Sequence, residues 1–323
     1  MPQKLITVVG ATGAQGSAII DALLKNPEYK LRGITRTPDS ATALALKSKG
    51  VEVVQADLNN QASLHAAFAG SYAVYAMTDM PGMALGGLDI KAAAEAEKEQ
   101  GINIAQACLK TTGLERFIWS TLPDVATLSG GAFDPANFRG KVAVDTFIRA
   151  HPELLAKTTF FFISQYHSNY KYPPLSPHLI ATAGDGKEDV YVQFASHPLD
   201  TPITTIGDVR RNLGPFITAI MAQPEKTRGG AYVLAHVEVV SAEESLQAWA
   251  RAQGVRAISV PISTEKFSLL FGKWDFLGSM WRSWAALGDR AWSLVGGEKV
   301  LTKDDLGVTG LTSLADSYKL APF

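Results

Sequence analysis

The chain has 323 residues, 46% of them hydrophobic and 19% charged, an ordinary soluble globular composition able to bury a large core as one big domain or two associated ones. A formal net charge of -1, with basic residues scattered singly or in pairs, gives no field for direct nucleic-acid binding. The sole cysteine, Cys108, excludes disulfides within the chain and multi-cysteine zinc sites, and no uncharged apolar stretch is long enough to span a bilayer.

No cationic, apolar leader precedes the first strand, so the expected address is the cytoplasm. No metal is expected, and Cys108 is expected to pack inside a helix. Leu5 to Val9 reads as a buried parallel strand, and the stretch from Ser17 to Leu24 as a helix with Ile19, Ile20, Leu23 and Leu24 on one stripe. Between them lies Gly10-Ala11-Thr12-Gly13-Ala14-Gln15-Gly16. Without β-carbons, Gly10 and Gly13 allow a tight turn and close approach to a pyrophosphate. Gly16 allows close packing of helix on strand, with amides of the helix N-terminus facing the anion. Gly10, Thr12, Gly13, Ala14, Gln15 and Gly16 are therefore the candidate phosphate-binding residues; the alternative is a plain turn.

Lys30 to Arg36 reads as the next strand. Its last residue stands twenty positions after Gly16, where an NAD-selective site usually places a carboxylate. Arg36 instead suits a 2′-phosphate through two charge-assisted hydrogen bonds, which predicts NADP(H) over NAD(H); a surface arginine is the alternative. Strand-like runs then alternate with helical patterns: 51–55, 73–77, 117–120 and 159–163 against helices near 61–68, 88–111 and 135–149. That rhythm predicts right-handed βαβ units and a parallel sheet. Asp57 and its neighbour Leu58, after the third strand, fall near the adenine edge, with a helix N-cap as the other role for Asp57. Thr78 and Asp79, after the fourth strand, fall near the nicotinamide-side ribose or the pyrophosphate. Ser120 and Thr121 end the fifth strand.

Asp134-Pro135 reads as an N-cap followed by proline at the first helical position, so the segment through Arg149 is predicted helical. Lys141 lies on its apolar face with Val144 and Ile148, which marks it as either functional or paired with Asp145 one turn on. Gly140 beside it implies a crowded neighbour such as cofactor or strand. Beyond residue 165, the crowding of Tyr166, Tyr170, Tyr172, Pro173, Pro174 and Pro177 reads as a substrate-side loop. Strands at 191–194 and 231–234 and helices at 208–221 and 242–253 are expected to build a smaller α/β lobe. The segment from Phe267 to Leu294 holds four of the six tryptophans and reads as a packed helical core, a dimer interface, or a hydrophobic lid over an aromatic substrate.

The Gly10 to Gly16 signature, Thr35-Arg36, the Trp119-Ser120 strand end and Lys141 on its helix together resemble the NmrA-like branch of the atypical short-chain dehydrogenase/reductases, over most of the chain up to about residue 255. The resemblance implies a Rossmann-type doubly wound parallel sheet in residues 1–160. A smaller α/β substrate lobe in 161–323, interleaved with that sheet, ends in the tryptophan-rich helical segment. It also implies that Arg36 takes the NADP-selecting position and Lys141 that of a lysine used by the related isoflavone and phenylcoumaran benzylic ether reductases and retained in NmrA-like redox sensors. The chain departs from the wider superfamily at one place: Asn137, four residues before Lys141, occupies the position of the acid-catalytic tyrosine. Lys141 and Ser120 are then the candidate catalytic residues. Tyr166, His167 and Asn169 are the candidate substrate contacts, although a lone histidine is more often structural.

Two functions follow from this reading. One is an NADPH-dependent reductase of a small aromatic or polyketide-like carbonyl or enone. The other is a catalytically silent NADP(H) sensor that changes shape or partners with cofactor state. The expected partner is a small molecule, with a homodimer left open.

Overall fold

In the computed structural model, residues 2–182 and 188–320 are described. Among the described residues, fourteen strands form one large and two small sheets: β1 Lys4–Val9, β2 Tyr29–Thr35, β3 Glu52–Gln55, β4 Ala73–Ala76, β5 Arg116–Thr121, β6 Thr158–Ile163, β7 Gln165–Tyr166, β8 His178–Ala181, β9 Val190–Ala195, β10 Pro202–Gly207, β11 Ala231–Ala235, β12 Glu238–Ser241, β13 Arg256–Pro261 and β14 Val300–Leu301. The large sheet has the order β14-β11-β6-β5-β4-β1-β2-β3, and all its pairings are parallel. The Rossmann-type doubly wound fold expected from the βα rhythm is therefore present.

The chain builds outward from β1 in both directions, through β2 and β3 on one side and β4 to β6 on the other. The switch point lies between β1 and β4, where the carboxyl ends of adjacent strands diverge and open sheets of this kind receive ligands. Seven helices define the surroundings of that crevice: α1 Ala14–Leu23, α2 Ala41–Ser48, α3 Gln61–Phe68, α4 Met80–Leu85, α5 Ile90–Leu109, α6 Val125–Leu128 and α7 Ala136–Arg149.

Period-two alternation along buried strands fills both faces of the sheet. Val74, Ala76, Phe117, Trp119, Phe160 and Phe162 pack into one core, which also receives α5, α7 and the tryptophan helix. Ile6, Val8, Tyr75, Ile118 and Phe161 pack into the other, with α1 and the helix Val209–Ala222. The sequence pattern predicts that second helix in the smaller lobe, but it lies on α1, and Gly214 permits the approach because a Cβ there would stand 3.0 Å from the Ala22 methyl. Likewise β11, expected in the smaller lobe, pairs with β6 through Ala231 to Ala235. Its central residues are buried on both faces, as an interior parallel strand requires.

The smaller sheets, β12-β10-β7 and β13-β9-β8, lie outside this frame. Tyr166 stands on β7, and a short 3-10 turn, His167–Lys171, replaces the irregular loop expected there. Cys108 is buried on α5, as expected. Among the described residues no helix is long and apolar enough to cross a membrane.

Candidate functional site

At the carboxyl end of β1, Gly10 adopts φ +71°, a left-handed conformation that side chains avoid, and its carbonyl accepts from the Gly13 amide at 2.9 Å. A Cβ on Gly16 would lie 2.2 Å from the Gly10 oxygen and 2.7 Å from the Ala11 Cα, so only glycine lets α1 begin this close to the strand. Gly13 is the N-cap of α1, and no side chain caps it. The first intrahelical bond runs from Ser17 to Gly13, which leaves the amides of Ala14, Gln15 and Gly16 for a ligand. Thr12 lies in the same turn.

β2 ends at Thr35, one residue earlier than its sequence pattern, and places Arg36 exposed at the strand end beside the mouth of the crevice. Asp57 is exposed after β3, where its carboxylate accepts from the Asn59 amide at 2.9 Å and the Asn59 side chain at 3.0 Å. It is not a helix N-cap. Asn60 fills that role for α3 by accepting from Ser63, because the chain makes a further turn before the helix starts. The carbonyl of neighbouring Leu58 accepts from the Asn103 side chain at 2.9 Å, which ties this loop to α5.

The deepest part of the site surrounds Lys141. Its ammonium donates to Thr78 O and Thr78 Oγ1 at 3.1 Å each and to Ser120 O at 3.4 Å, lies 3.4 Å from Glu97 Oε1, and stands 5.3 Å from the centre of the Trp119 ring. Lys141 thus pins together the carboxyl ends of neighbouring strands β4 and β5. Its acidic partner is Glu97 of α5, not Asp145 as the one-turn spacing suggested. Glu97 is wholly buried and also accepts from Thr78 Oγ1 at 3.0 Å and the Met80 amide at 3.2 Å.

Two glycines explain how the carboxylate gets there. A Cβ on Gly101 would stand 2.4 Å from Val144, and one on Gly140 would stand 2.8 Å from Glu97 Oε2 and 3.0 Å from Ala94 O. The crowded neighbour of Gly140 is therefore α5, rather than cofactor or strand. Glu97 escaped the sequence reading, although it left a signal: it is the one acid on the small apolar stripe of Ala93, Ala94, Gly101, Ile104, Ala105 and Cys108. The N-cap of α7 also differs from the sequence reading. Pro135 takes that position without a side-chain bond, because the Asp134 carboxylate is drawn 2.7 Å from Arg139 Nε. Asp79 caps α4 by accepting from the Gly82 amide at 3.0 Å.

Asp145 has a separate environment on the far side of Trp119. It accepts from Trp119 Nε1 at 2.9 Å and from Tyr232 OH at 3.1 Å, and burial pushes its carboxyl up to about 7 against the lowering effect of those donors and Thr121. Since the folded value lies above the ordinary 3.8, the folded state holds the proton more tightly than the unfolded chain. The associated stability is complete below about pH 4 and is lost as pH rises through about 7, on the order of 4 kcal/mol over about three pH units. We expect the Tm difference between wild type and Asp145→Asn to move in the variant's favour by several degrees between pH 4 and 8. A pH-independent difference would show that the carboxyl titrates normally.

The crevice also contains a side-chain relay. Tyr75, buried on β4, donates to Gln15 Oε1, and Gln15 Nε2 donates to the Tyr166 oxygen. The Ser120 hydroxyl on the adjacent strand opposes the rise that burial causes in the Tyr75 phenol pKa. The glycine turn, β4 and β7 are joined by the relay, and the sequence candidates Gln15 and Tyr166 come together. Burial raises the Tyr166 phenol well above its ordinary range, with the Asp79 charge acting in the same direction.

The other substrate-loop candidates diverge. His167 is buried with Nδ1 3.0 Å from Gly207 O and its ring 6.0 Å from that of Tyr318, so it supports the fold rather than facing the crevice. Burial also lowers its pKa, favouring the neutral ring. Asn169 donates to Gln165 Oε1 at 3.1 Å. The tryptophan-rich segment is a packed helical core: Trp274, Trp281, Trp284 and Trp292 are all buried in the cluster that covers β5 and β6. Its helix Asp275–Leu287 reaches the site through Met280, whose sulfur accepts from Asn137 Nδ2 at 3.5 Å.

A doubly wound sheet with an uncapped glycine turn at its switch point and a buried lysine across the neighbouring strand ends defines a nucleotide-crevice protein of the Rossmann class. The chain belongs to the NmrA-like family, whose sequence model matches residues 2–273. Among curated relatives, an NmrA-like family domain-containing oxidoreductase, notA, from an Aspergillus species is 33% identical over 43% of this chain and 41% of its own length. The chain thus aligns with less than half of that relative. Among solved structures, NmrA, a negative transcriptional regulator in complex with NADP, superposes with a TM-score of 0.71 at 19% identity over 99% of this chain and 95% of its own. An NADPH-dependent quinone oxidoreductase from Escherichia coli, complexed with NADPH, superposes with a TM-score of 0.68 at 18% identity over 98% and 99%.

Proposed function

We propose that the chain binds NADP(H) and reduces a small aromatic or polyketide-like carbonyl or enone, with Tyr166 as the proton donor. The relay ending at Tyr166 carries this reading. Gln15 spends its amide on the phenol oxygen, so the phenol's own proton is left to be given away. An acid is thereby supplied that Asn137 cannot provide from the usual tyrosine position.

The glycine turn fits the cofactor's pyrophosphate, since its close packing and free amides leave room and donors for an anion. Arg36 stands where a 2′-phosphate is recognised. When bound, NADPH supplies the hydride. Lys141 holds the ends of β4 and β5 in register. The NADP(H)-bound neighbours and the relatives described as oxidoreductases support the same reading.

In a panel of aromatic enones and quinones, NADPH absorbance is expected to fall with at least one member. Tyr166→Phe should lower kcat by about 10²- to 10⁴-fold while leaving the Kd for NADPH unchanged. Full activity in that variant, or no oxidation across the panel, would remove the assignment. Arg36→Ala is expected to raise the Kd for NADPH by about 10- to 100-fold and leave that for NADH alone, as loss of a charged hydrogen bond to phosphate requires. Equal effects on both cofactors would return Arg36 to the role of a surface side chain.

A second reading is favoured by one observation: the Lys141 ammonium is already engaged by Thr78, Ser120 and Glu97. In a silent NADP(H) sensor it would serve only to hold the strand ends together and carry no chemistry. The sensor's signature is a cofactor-dependent change of partner or oligomeric state that persists in Lys141→Ala.

A further inference from the structure

We propose that Tyr75 is a positioning residue for the reduction: its hydroxyl fixes which end of the Gln15 amide faces Tyr166, and so keeps the Tyr166 proton free for the substrate. This rests on the reductase reading and deepens it, by naming the residue that sets the direction of the relay.

The two ends of a glutamine amide are alike in shape and opposite in function, so the neighbours decide how it faces. Gln15 lies between two phenols. With Oε1 toward Tyr75 and Nε2 toward Tyr166, Tyr75 donates and Tyr166 accepts. With the amide turned over, Nε2 would donate to Tyr75 and Oε1 would take the Tyr166 proton, withholding it from a substrate. Both arrangements make two hydrogen bonds, and burial separates them. Tyr75 is 1% exposed and stands on β4 in the apolar cluster that contains Val8, Ile19 and Phe161. Its hydroxyl makes no other hydrogen bond among the described residues, so turning the amide would strand its proton away from water, the costly condition of an unsatisfied buried donor. Tyr166 is half-buried on β7, and its proton can pass to water or to a substrate in the crevice. The enclosed phenol therefore dictates to the accessible one. Gln15 is itself held at a fixed point, because it lies in the first turn of α1, where Gly16 packs against Gly10 and Ala11.

The test is a double-mutant cycle in kcat at saturating NADPH, on the enone or quinone that the panel identifies. Tyr75→Phe keeps the ring and releases the amide to turn. Its kcat should fall about 3- to 10-fold, the weight of one neutral hydrogen bond, with KM and the Kd for NADPH unchanged. In a Gln15→Met background no amide is left to turn, so the same change should alter kcat by less than about 2-fold. The Tm effect should reverse sign between the two: Tyr75→Phe lowers it in wild type and raises it in Gln15→Met, where the Tyr75 proton has lost its acceptor. Nuclear Overhauser contacts in protein labelled at glutamine nitrogen read the amide without any need for turnover. The Gln15 amide protons should touch the Tyr166 ring in wild type, and both rings in Tyr75→Phe. Equal losses of kcat in the two backgrounds, or amide contacts to the Tyr75 ring in wild type, overturn the proposal, and the wild-type contacts decide it even where Tyr75→Phe does not fold. Tyr166-dependent turnover that ignores Tyr75→Phe defeats the proposal and leaves the reductase reading intact, whereas the expected amide contacts with no oxidation across the panel do the reverse.

Discussion

Replacement of Lys141 by methionine is expected to destabilise the fold by about 3–5 kcal/mol and to abolish measurable turnover. Methionine keeps the length of the side chain and its apolar stem, so packing on Trp119 changes little. What it removes is the only cation beside Glu97 among the ion pairs of the described residues, and Glu97 has no exposed surface through which water could compensate. A carboxylate stranded in this way is the costly outcome of breaking a buried pair. Chemical denaturation should show a lower midpoint with an unchanged slope. The double variant Lys141→Met, Glu97→Gln should recover most of the loss, because a neutral amide still satisfies Thr78 and the Met80 amide. A single variant as stable as wild type would mean that the pair contributes nothing, and that Lys141 is held for chemistry alone.

The second large effect is expected at the glycine turn. In Gly16→Ala the new methyl meets the Gly10 carbonyl oxygen at 2.2 Å and the Ala11 Cα at 2.7 Å, and both are backbone atoms that cannot rotate aside. Overpacking of this kind costs about 1–3 kcal/mol, and it is relieved only by lifting α1 away from β1. That movement displaces the amides of Ala14, Gln15 and Gly16 from the anion they would hold, so the Kd for NADPH should rise by about 100-fold or binding should vanish. Gly50→Ala is the control, because its Cβ would meet nothing within 4 Å although φ is +84°. It should cost about 1 kcal/mol of stability and leave cofactor affinity unchanged. Equal cofactor affinity in Gly16→Ala and wild type would refute the cradle.

Much of the site was readable in the chain itself wherever the relevant physics is local. The strand, turn and helix at residues 4–23 declare themselves through an apolar run, spaced glycines and a 3.6-residue stripe, all within one short window. The position of Arg36 at the strand end is legible for the same reason, being a fixed number of residues past the turn. The side chains around Lys141 were half legible. A lysine on an apolar face announces that it needs a partner, but spacing along one helix offers only Asp145, whereas the actual carboxylate comes from α5. Its arrival depends on Gly101 and Gly140 letting two helices approach more closely than alanines would. Tyr166 and His167 show the limit most simply. They are adjacent in sequence and equally polar, yet one joins the crevice relay and the other turns to Gly207 and Tyr318.

Periodicity and backbone freedom over a few residues suffice for the doubly wound parallel sheet, the glycine turn at its switch point and the basic strand end. Long-range packing is what pairs Glu97 with Lys141, adds β11 to the large sheet beside β6, and lays the tryptophan helix over β5 and β6 with its Met280 against Asn137. Those outcomes depend on which distant surfaces meet, and desolvation penalises or rewards a buried charge only after that meeting is set.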